Sequence, residues 1–305
     1  MVKGRFAPSP SGRMHLGNIY TALLSWLLAK KSGGKWILRI EDLDKERSKK
    51  EFADYIFSDL EWLGLEWDEK VVLQSERDAV YKNALETLRK QELLFECFCS
   101  RQDLFASSAP HTLCSFPIYS GKCRTISQKE KNQLLKIKPP CLRVKVPALD
   151  EQDAQSEFFD LHYGRQSANL ARDCGDFIVR RSDGNFSYQL AVVADDSLSG
   201  VTQIVRGRDL LPSTHQQIFL YKKLGFSVPD FFHLPLLLSS DGRRLSKRDK
   251  DLGMDFLRVN YSKEELIGNI LHLCGILPKQ TALSLNEALS FFDEKKLTKT
   301  DIRPA

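Results

Sequence analysis

Three groups of residues in this chain have the types and spacing to do chemistry. The first is Arg5-Phe-Ala-Pro-Ser9-Pro-Ser-Gly-Arg-Met-His15-Leu-Gly17-Asn18. A strand-like approach turns through Pro8, Ser9, Pro10 and Gly12 and enters Ile19, Tyr20, Leu23, Leu24, Leu27 and Leu28, which are apolar at helical spacing. His15, Gly17 and Asn18 therefore stand at a helix start. Free N–H groups and the positive end of the helix dipole favour an anion there. The second group is Gly242-Arg-Arg-Leu-Ser246-Lys247-Arg248-Asp, a cationic loop able to neutralise charge on a leaving pyrophosphate. The third is Cys97-x-Cys99 followed by Cys123. On a strand, alternation puts the first two sulfurs on one face. Three cysteines and one further donor make a tetrahedral zinc set. His111, Cys114 and Tyr119 lie between, and ligand chemistry alone favours Cys114 or His111 as the fourth. Taken singly, each group also has a plain reading: a βα turn, a basic surface loop, a set of reduced thiols.

These groups need a scaffold that brings them together. The chain has 305 residues, 42% of them hydrophobic, enough for a packed core and about two domains. A formal net charge of +5 is compatible with a polyanionic partner without proving one. No run is apolar and long enough to span a bilayer, and Met-Val-Lys-Gly-Arg-Phe is no secretory leader. Seven cysteines, an odd number, argue against a disulfide framework. A cytoplasmic protein without a membrane partner is expected.

Trp36-Ile-Leu-Arg-Ile40 reads as a buried strand that ends in Glu41-Asp-Leu-Asp44, and α/β sheets bind ligands at that end of a strand. Phe52, Tyr55, Ile56, Leu60 and Leu63 share one helical face, which Gly64 terminates. A further helix is expected over residues 76–91. This β, α, β, α order predicts a doubly wound, Rossmann-like parallel sheet. Residues 1–92 would form its first half and residues 175–250 its second. Residues 93–174, with short strands and a different texture, read as an inserted subdomain carrying the cysteines. Residues 251–305 read as a small helical unit, with capping boxes at Ser262-x-x-Glu265 and Ser284-x-x-Glu287. In the second half, residues 213–224 read as a helix capped by Ser213 or Thr214, after Arg206-Gly-Arg-Asp-Leu210. Asp195-Asp196 stands out only as an acidic pair.

Considered together, His15-Leu-Gly17-Asn18 and Leu245-Ser-Lys-Arg248 resemble the two signatures of class I aminoacyl-tRNA synthetases, in the glutamate-specific form. Arg5-Phe-Ala-Pro-Ser-Pro-Ser-Gly, Arg39-Ile-Glu-Asp-Leu-Asp44, Tyr188 and Arg206-Gly-Arg-Asp-Leu210 follow in the family's order, over most of the chain. Only about fifty residues follow the second signature, where full glutamyl-tRNA synthetases continue into an anticodon-binding region. In this the chain resembles the short glutamyl-queuosine tRNA(Asp) synthetases.

The resemblance implies ATP-dependent activation of L-glutamate, with Mg²⁺ accompanying ATP, and transfer to the queuosine base of tRNA(Asp), by a monomer. It implies ATP contacts from His15, Gly17, Asn18, Ser246, Lys247 and Arg248, with His15, Asn18 and Lys247 serving the transition state. Glutamate would be held by Arg5, Ser9, Glu41, Tyr188 and Arg206. An α-ammonium suits a carboxylate, and a side-chain carboxylate suits a guanidinium fork. For zinc, the resemblance points to Cys97, Cys99, Tyr119 and Cys123.

Overall fold

The computed structural model describes residues 1–100, 118–239, 242–243 and 252–304. The anion-friendly stretch folds as its pattern predicts. Strand β1 (Lys3–Phe6) runs into the proline turn, and helix α1 (Leu16–Lys31) follows. Eleven α1 side chains are buried, so this helix is core on nearly all sides. Strand β2 (Lys35–Ile40) pairs in parallel with β1, and all but its first residue are buried. Helix α2 (Lys50–Leu63) ends at Gly64, whose φ of +77° is a left-handed cap that glycine adopts without strain. A short strand β3 (Val72–Leu73) pairs in parallel with β2, and helix α3 (Asp78–Lys90) covers the sheet.

The chain then builds a small antiparallel sheet. Strand β4 (Leu94–Cys97) pairs with β5 (Cys141–Val144), with Cys97 opposite Cys141. Helix α4 (Gln128–Leu135), between them, is capped reciprocally by Ser127 and Glu130. Strands β6 (Gln155–Asp160) and β7 (Gly164–Asn169) form a hairpin, and β8 (Phe177–Arg180) returns to pair with β5.

Helix α5 (Tyr188–Leu198), strand β9 (Gln203–Gly207), helix α6 (Ser213–Lys223) and strand β10 (Asp230–Leu234) complete the α/β part. Strands β9 and β10 are parallel, and β6 joins their sheet alongside β10. β9 also lies beside β1, where Thr202 N–H donates to the Lys3 carbonyl at 2.9 Å. The parallel layer thus reads β3-β2-β1-β9-β10, with its order reversing between β1 and β9. That reversal opens the crevice in which doubly wound sheets bind ligands.

Helices α7 (Met254–Asn260), α8 (Lys263–Leu273) and α9 (Leu285–Phe291) end the chain. Both expected capping boxes form at α8 and α9. Leu266, Ile267, Ile270 and Leu271 share one hydrophobic core with Leu16, Ile19, Leu23 and Leu27 of α1. Apolar burial therefore fixes these helices against the first βα unit. Among the described residues, no helix is long and apolar enough to cross a membrane.

Candidate active site

Proline and glycine set the turn after β1, and the helix that follows is capped by its own signature. His15 is the N-cap of α1, its Nδ1 accepting from Gly17 N–H at 3.1 Å, while Asn18 Oδ1 accepts from His15 N–H at 3.0 Å. A β-carbon at Gly17 would come within 3.0 Å of the His15 ring, so a larger residue would crowd the cap. His15 and Asn18 line two cavities at once. One, of about 430 Å³, also holds Arg5, Ser9, Glu41, Tyr188 and Arg206. The other, of about 70 Å³, continues past Gly17 to Leu236 and Leu237. All the described residues expected to serve glutamate and ATP therefore meet at the β1–β9 switch point. Ser246, Lys247 and Arg248 lie outside the described residues.

Buried counter-charges aim the ionic groups. Arg5 is 4% exposed and donates from Nε to Asp196 at 3.2 Å and from Nη1 to the Val205 carbonyl at 3.2 Å. Arg39 Nη1 donates to the same carboxylate at 2.5 Å, and its Nη2 reaches Glu41 Oε1 at 3.1 Å. Burial pushes the Asp196 carboxyl up, but Arg39 and Arg5 outweigh it and hold it below its ordinary range. At Glu41 the balance reverses: burial raises it and Arg39 only partly offsets that. A substrate ammonium beside Glu41 would restore the missing positive charge.

Arg206 is held differently. Its Nε donates to His233 Nε2 at 3.1 Å and its Nη2 to Thr214 Oγ1 at 2.9 Å. Nη1 is buried without a partner among the described residues. The expected cap at Ser213 or Thr214 gives way here. Pro212 is the N-cap of α6, and Thr214, fully buried, serves Arg206 instead.

A third cavity, of about 630 Å³, meets the first at Ser9, Glu41 and Tyr188. Asp44, Arg143, Arg181, Cys99 and Cys141 line its far side. Behind Cys99, Cys97 and Cys123 complete a cluster with sulfurs within 4.8 Å of one another, Cys99 and Cys123 at 3.6 Å. A tetrahedral zinc ion at ~2.3 Å from each sulfur needs them ~3.8 Å apart, so the set fits with small adjustment. The Tyr119 hydroxyl accepts from Cys123 N–H at 2.6 Å, which brings it to the cluster. His111 and Cys114 lie outside the described residues. The pairing of β4 with β5 adds a thiol the spacing did not reveal: Cys141, whose Sγ is 3.4 Å from the Cys97 carbonyl.

Residues 1–302 match the family model described as tRNA synthetases class I (E and Q), catalytic domain. The chain belongs to this family. It is 43% identical to the glutamyl-Q tRNA(Asp) synthetase of Symbiobacterium thermophilum, over 99% of this chain and 96% of that protein. It is 40% identical to the glutamate–tRNA ligase of Aquifex aeolicus, over 96% of this chain and 62% of that longer protein. Among solved structures, a glutamate tRNA ligase from Elizabethkingia meningosepticum in complex with its amino acid superposes with a TM-score of 0.82 at 30% identity. That match covers all of this chain and 67% of the other. As a class I synthetase the protein is a ligase, and the α/β architecture with a parallel sheet is the catalytic domain of that family.

Sequence reasoning missed His233 and Asp160, and it named Asp196, Arg39 and Thr214 without the buried partners the structure gives them. One signal was available. In Leu190-Ala-Val-Val-Ala-Asp-Asp196 two acids continue an apolar helical run, and both are 0% exposed. Acids in such a run point to buried cationic partners.

Proposed function

We propose that this class I synthetase activates L-glutamate with ATP and transfers it to the queuosine base of tRNA(Asp). The observation that carries the glutamate reading is the polarity of the cavity of about 430 Å³. Arg5 and Arg206 line it together with the carboxylate of Glu41, and Arg206 Nη1 is a buried donor without a partner among the described residues. The arrangement complements an amino acid with a side-chain carboxylate: Glu41 takes the α-ammonium, the guanidiniums take the far carboxylate. Tyr188 and Ser9 add hydroxyls at the rim.

The α-carboxylate then attacks the α-phosphorus of ATP. A P–O bond forms to the glutamyl oxygen, and the bond to the bridging oxygen breaks, releasing pyrophosphate. His15 and Asn18, with the N–H groups of α1, stand where phosphate oxygens gain charge. Lys247, with Ser246 and Arg248, would take the pyrophosphate charge. Mg²⁺ would neutralise phosphate charge and keep the chain in line. A hydroxyl of the queuosine base then attacks the activated carbonyl and AMP leaves. The cavity of about 630 Å³ offers the acceptor a route to Glu41 and Tyr188. The name shared by relatives over their whole length supports queuosine-bearing tRNA(Asp) as the acceptor.

Two measurements test this. ATP–pyrophosphate exchange should depend on glutamate and proceed without tRNA. Labelled glutamate should then pass to tRNA(Asp) containing queuosine, and not to the same tRNA lacking it. Labelling of tRNA(Glu) at its 3′ end would replace the acceptor assignment with ordinary charging. Absence of any glutamate-dependent exchange would remove the activation step itself.

The same reading assigns zinc to Cys97, Cys99, Cys123 and Tyr119, as a structural clamp on residues 93–174. Protein purified without a metal-affinity tag should contain about one zinc per chain, and Cys123→Ser should lose most of it, as mass-spectrometric metal analysis would show. A metal-free wild type would end the assignment.

A further inference from the structure

Arg206 is tied to a chain of buried polar groups that reaches across the sheet. Asp160 ends β6, and His233 lies in β10, 73 residues away. Asp160, His233 and Thr214 are 0% exposed and Arg206 is 4% exposed. The Arg206–His233 and His233–Asp160 bonds take their direction from a guanidinium that only donates and a carboxylate that only accepts, while the Thr214 hydroxyl, also 3.3 Å from His233 Nε2, can do either.

Four donors surround Asp160. Its Oδ1 accepts from His162 N–H at 3.0 Å and Tyr163 N–H at 2.8 Å. Its Oδ2 accepts from His233 N–H at 3.2 Å and stands 2.6 Å from His233 Nδ1. Burial raises this carboxyl, but His233 and the backbone N–H groups of Tyr163 and His162 lower it more, so it is ionised. A guanidinium can only donate. With Arg206 Nε at 3.1 Å, His233 Nε2 must therefore accept. The imidazole is then neutral, with its proton on Nδ1 facing Asp160. Burial, with Arg206 adjacent, opposes protonation and lowers the His233 pKa to about 4. The Arg206 guanidinium lies 5.4 Å over the Phe231 ring, and the His233 ring stacks on that same ring.

We propose that His233, held as its Nδ1–H tautomer by Asp160, is a positioning residue that aims Arg206 Nη1 at the side-chain carboxylate of the substrate. Two of the three guanidinium nitrogens are fixed by neutral acceptors, His233 and Thr214. The third is left for the ligand. Had Asp160 contacted Arg206 directly, it would have competed with the substrate carboxylate. An imidazole between them transmits the orientation and leaves the positive charge available. The device thus makes the pocket selective for a charged side chain over its neutral amide, since a neutral ligand would leave the buried guanidinium without a counter-charge.

This inference rests on glutamate activation, and the test keeps the two apart. In Asp160→Asn, the amide that keeps its oxygen on the His162 and Tyr163 N–H groups turns its NH2 to His233, which moves the imidazole proton to Nε2 and sets it against Arg206. The glutamate KM should rise by about tenfold to a hundredfold, the loss of one charge-assisted hydrogen bond. The ATP KM should stay within about twofold, since the change is confined to glutamate binding. His233→Phe should do the same. His233→Gln, whose amide can accept from Arg206 and donate to Asp160, should recover most of the affinity. Nitrogen-15 spectra of the imidazole should show the Nδ1–H tautomer in the wild type and its loss in Asp160→Asn. Folded Asp160→Asn and His233→Phe proteins with unchanged glutamate KM overturn the relay. So does a wild-type imidazole protonated on Nε2, a measurement that needs no variant to fold. A wild type without glutamate-dependent exchange overturns the underlying reading, and the relay with it.

Discussion

Arg206→Leu is expected to lower kcat/KM for glutamate activation about a thousandfold, corresponding to about 4 kcal/mol for truncating one side of a buried charge pair. The same protein should melt close to the wild type. Arg206 is 4% exposed, and its described hydrogen bonds go to His233 and Thr214, not to a carboxylate. Burial without a paired acid lowers its pKa and makes its charge a cost to the empty protein. Leucine removes that cost and fills much of the volume. Against this, His233 Nε2 loses the Arg206 donor and keeps only the Thr214 hydroxyl at 3.3 Å, and Thr214 loses a partner, about 1–3 kcal/mol. The two effects oppose each other, so stability changes little while the substrate loses its counter-ion. Glutamate-dependent pyrophosphate exchange and a thermal melt on the same preparation decide the matter. Wild-type exchange in a folded Arg206→Leu protein would refute the assignment of Arg206 to the substrate.

Asp196→Ala should behave in the opposite way. Asp196 is 0% exposed and accepts from both Arg5 and Arg39, which are themselves 4% and 1% exposed. Removing it leaves two buried guanidiniums without their shared acid. Arg39 keeps Glu41, while the described hydrogen bonds of Arg5 retain only the Val205 carbonyl. Breaking a buried pair from one side costs about 3–5 kcal/mol, a large part of the ~5–15 kcal/mol that keeps a protein folded. Denaturant unfolding should show the midpoint falling sharply, before any question of activity arises. A loss below about 1 kcal/mol would mean that solvent or rearrangement compensates the two cations. The contrast follows from how the two arginines are satisfied. Arg5 is neutralised by the protein and belongs to the fold as much as to the site. Arg206 has no carboxylate among its described hydrogen bonds, which leaves its charge for the proposed substrate.

How far the sequence alone reached depends on the range of each interaction. The βα turn at residues 5–18, the stop at Gly64 and the capping boxes at Ser262 and Ser284 were legible because each involves residues within a few positions of one another. The buried strand at Trp36–Ile40 was legible from its apolar run, which only Arg39 interrupts. The parallel α/β class followed from the order of such elements. Arg5, Glu41, Tyr188 and Arg206, expected to hold the substrate, were marked by their place in an ordered set of motifs, and the structure brings them around one cavity.

The tertiary structure decided what stands behind them. Arg5 meets Asp196 across 191 positions because β1 and β9 are neighbours at the switch point, with α5 packed alongside. Cys141 faces Cys97 because β5 pairs antiparallel to β4 in one register. Thr214 serves Arg206 and not its own helix, because α6 starts at Ser213 with the Thr214 side chain turned to β9. His233 finds Asp160 because β6 enters the sheet beside β10. Local spacing encodes caps, turns and faces, since those energies act over a few residues. Partner choice among buried charges depends on strand order and register, which no local spacing contains.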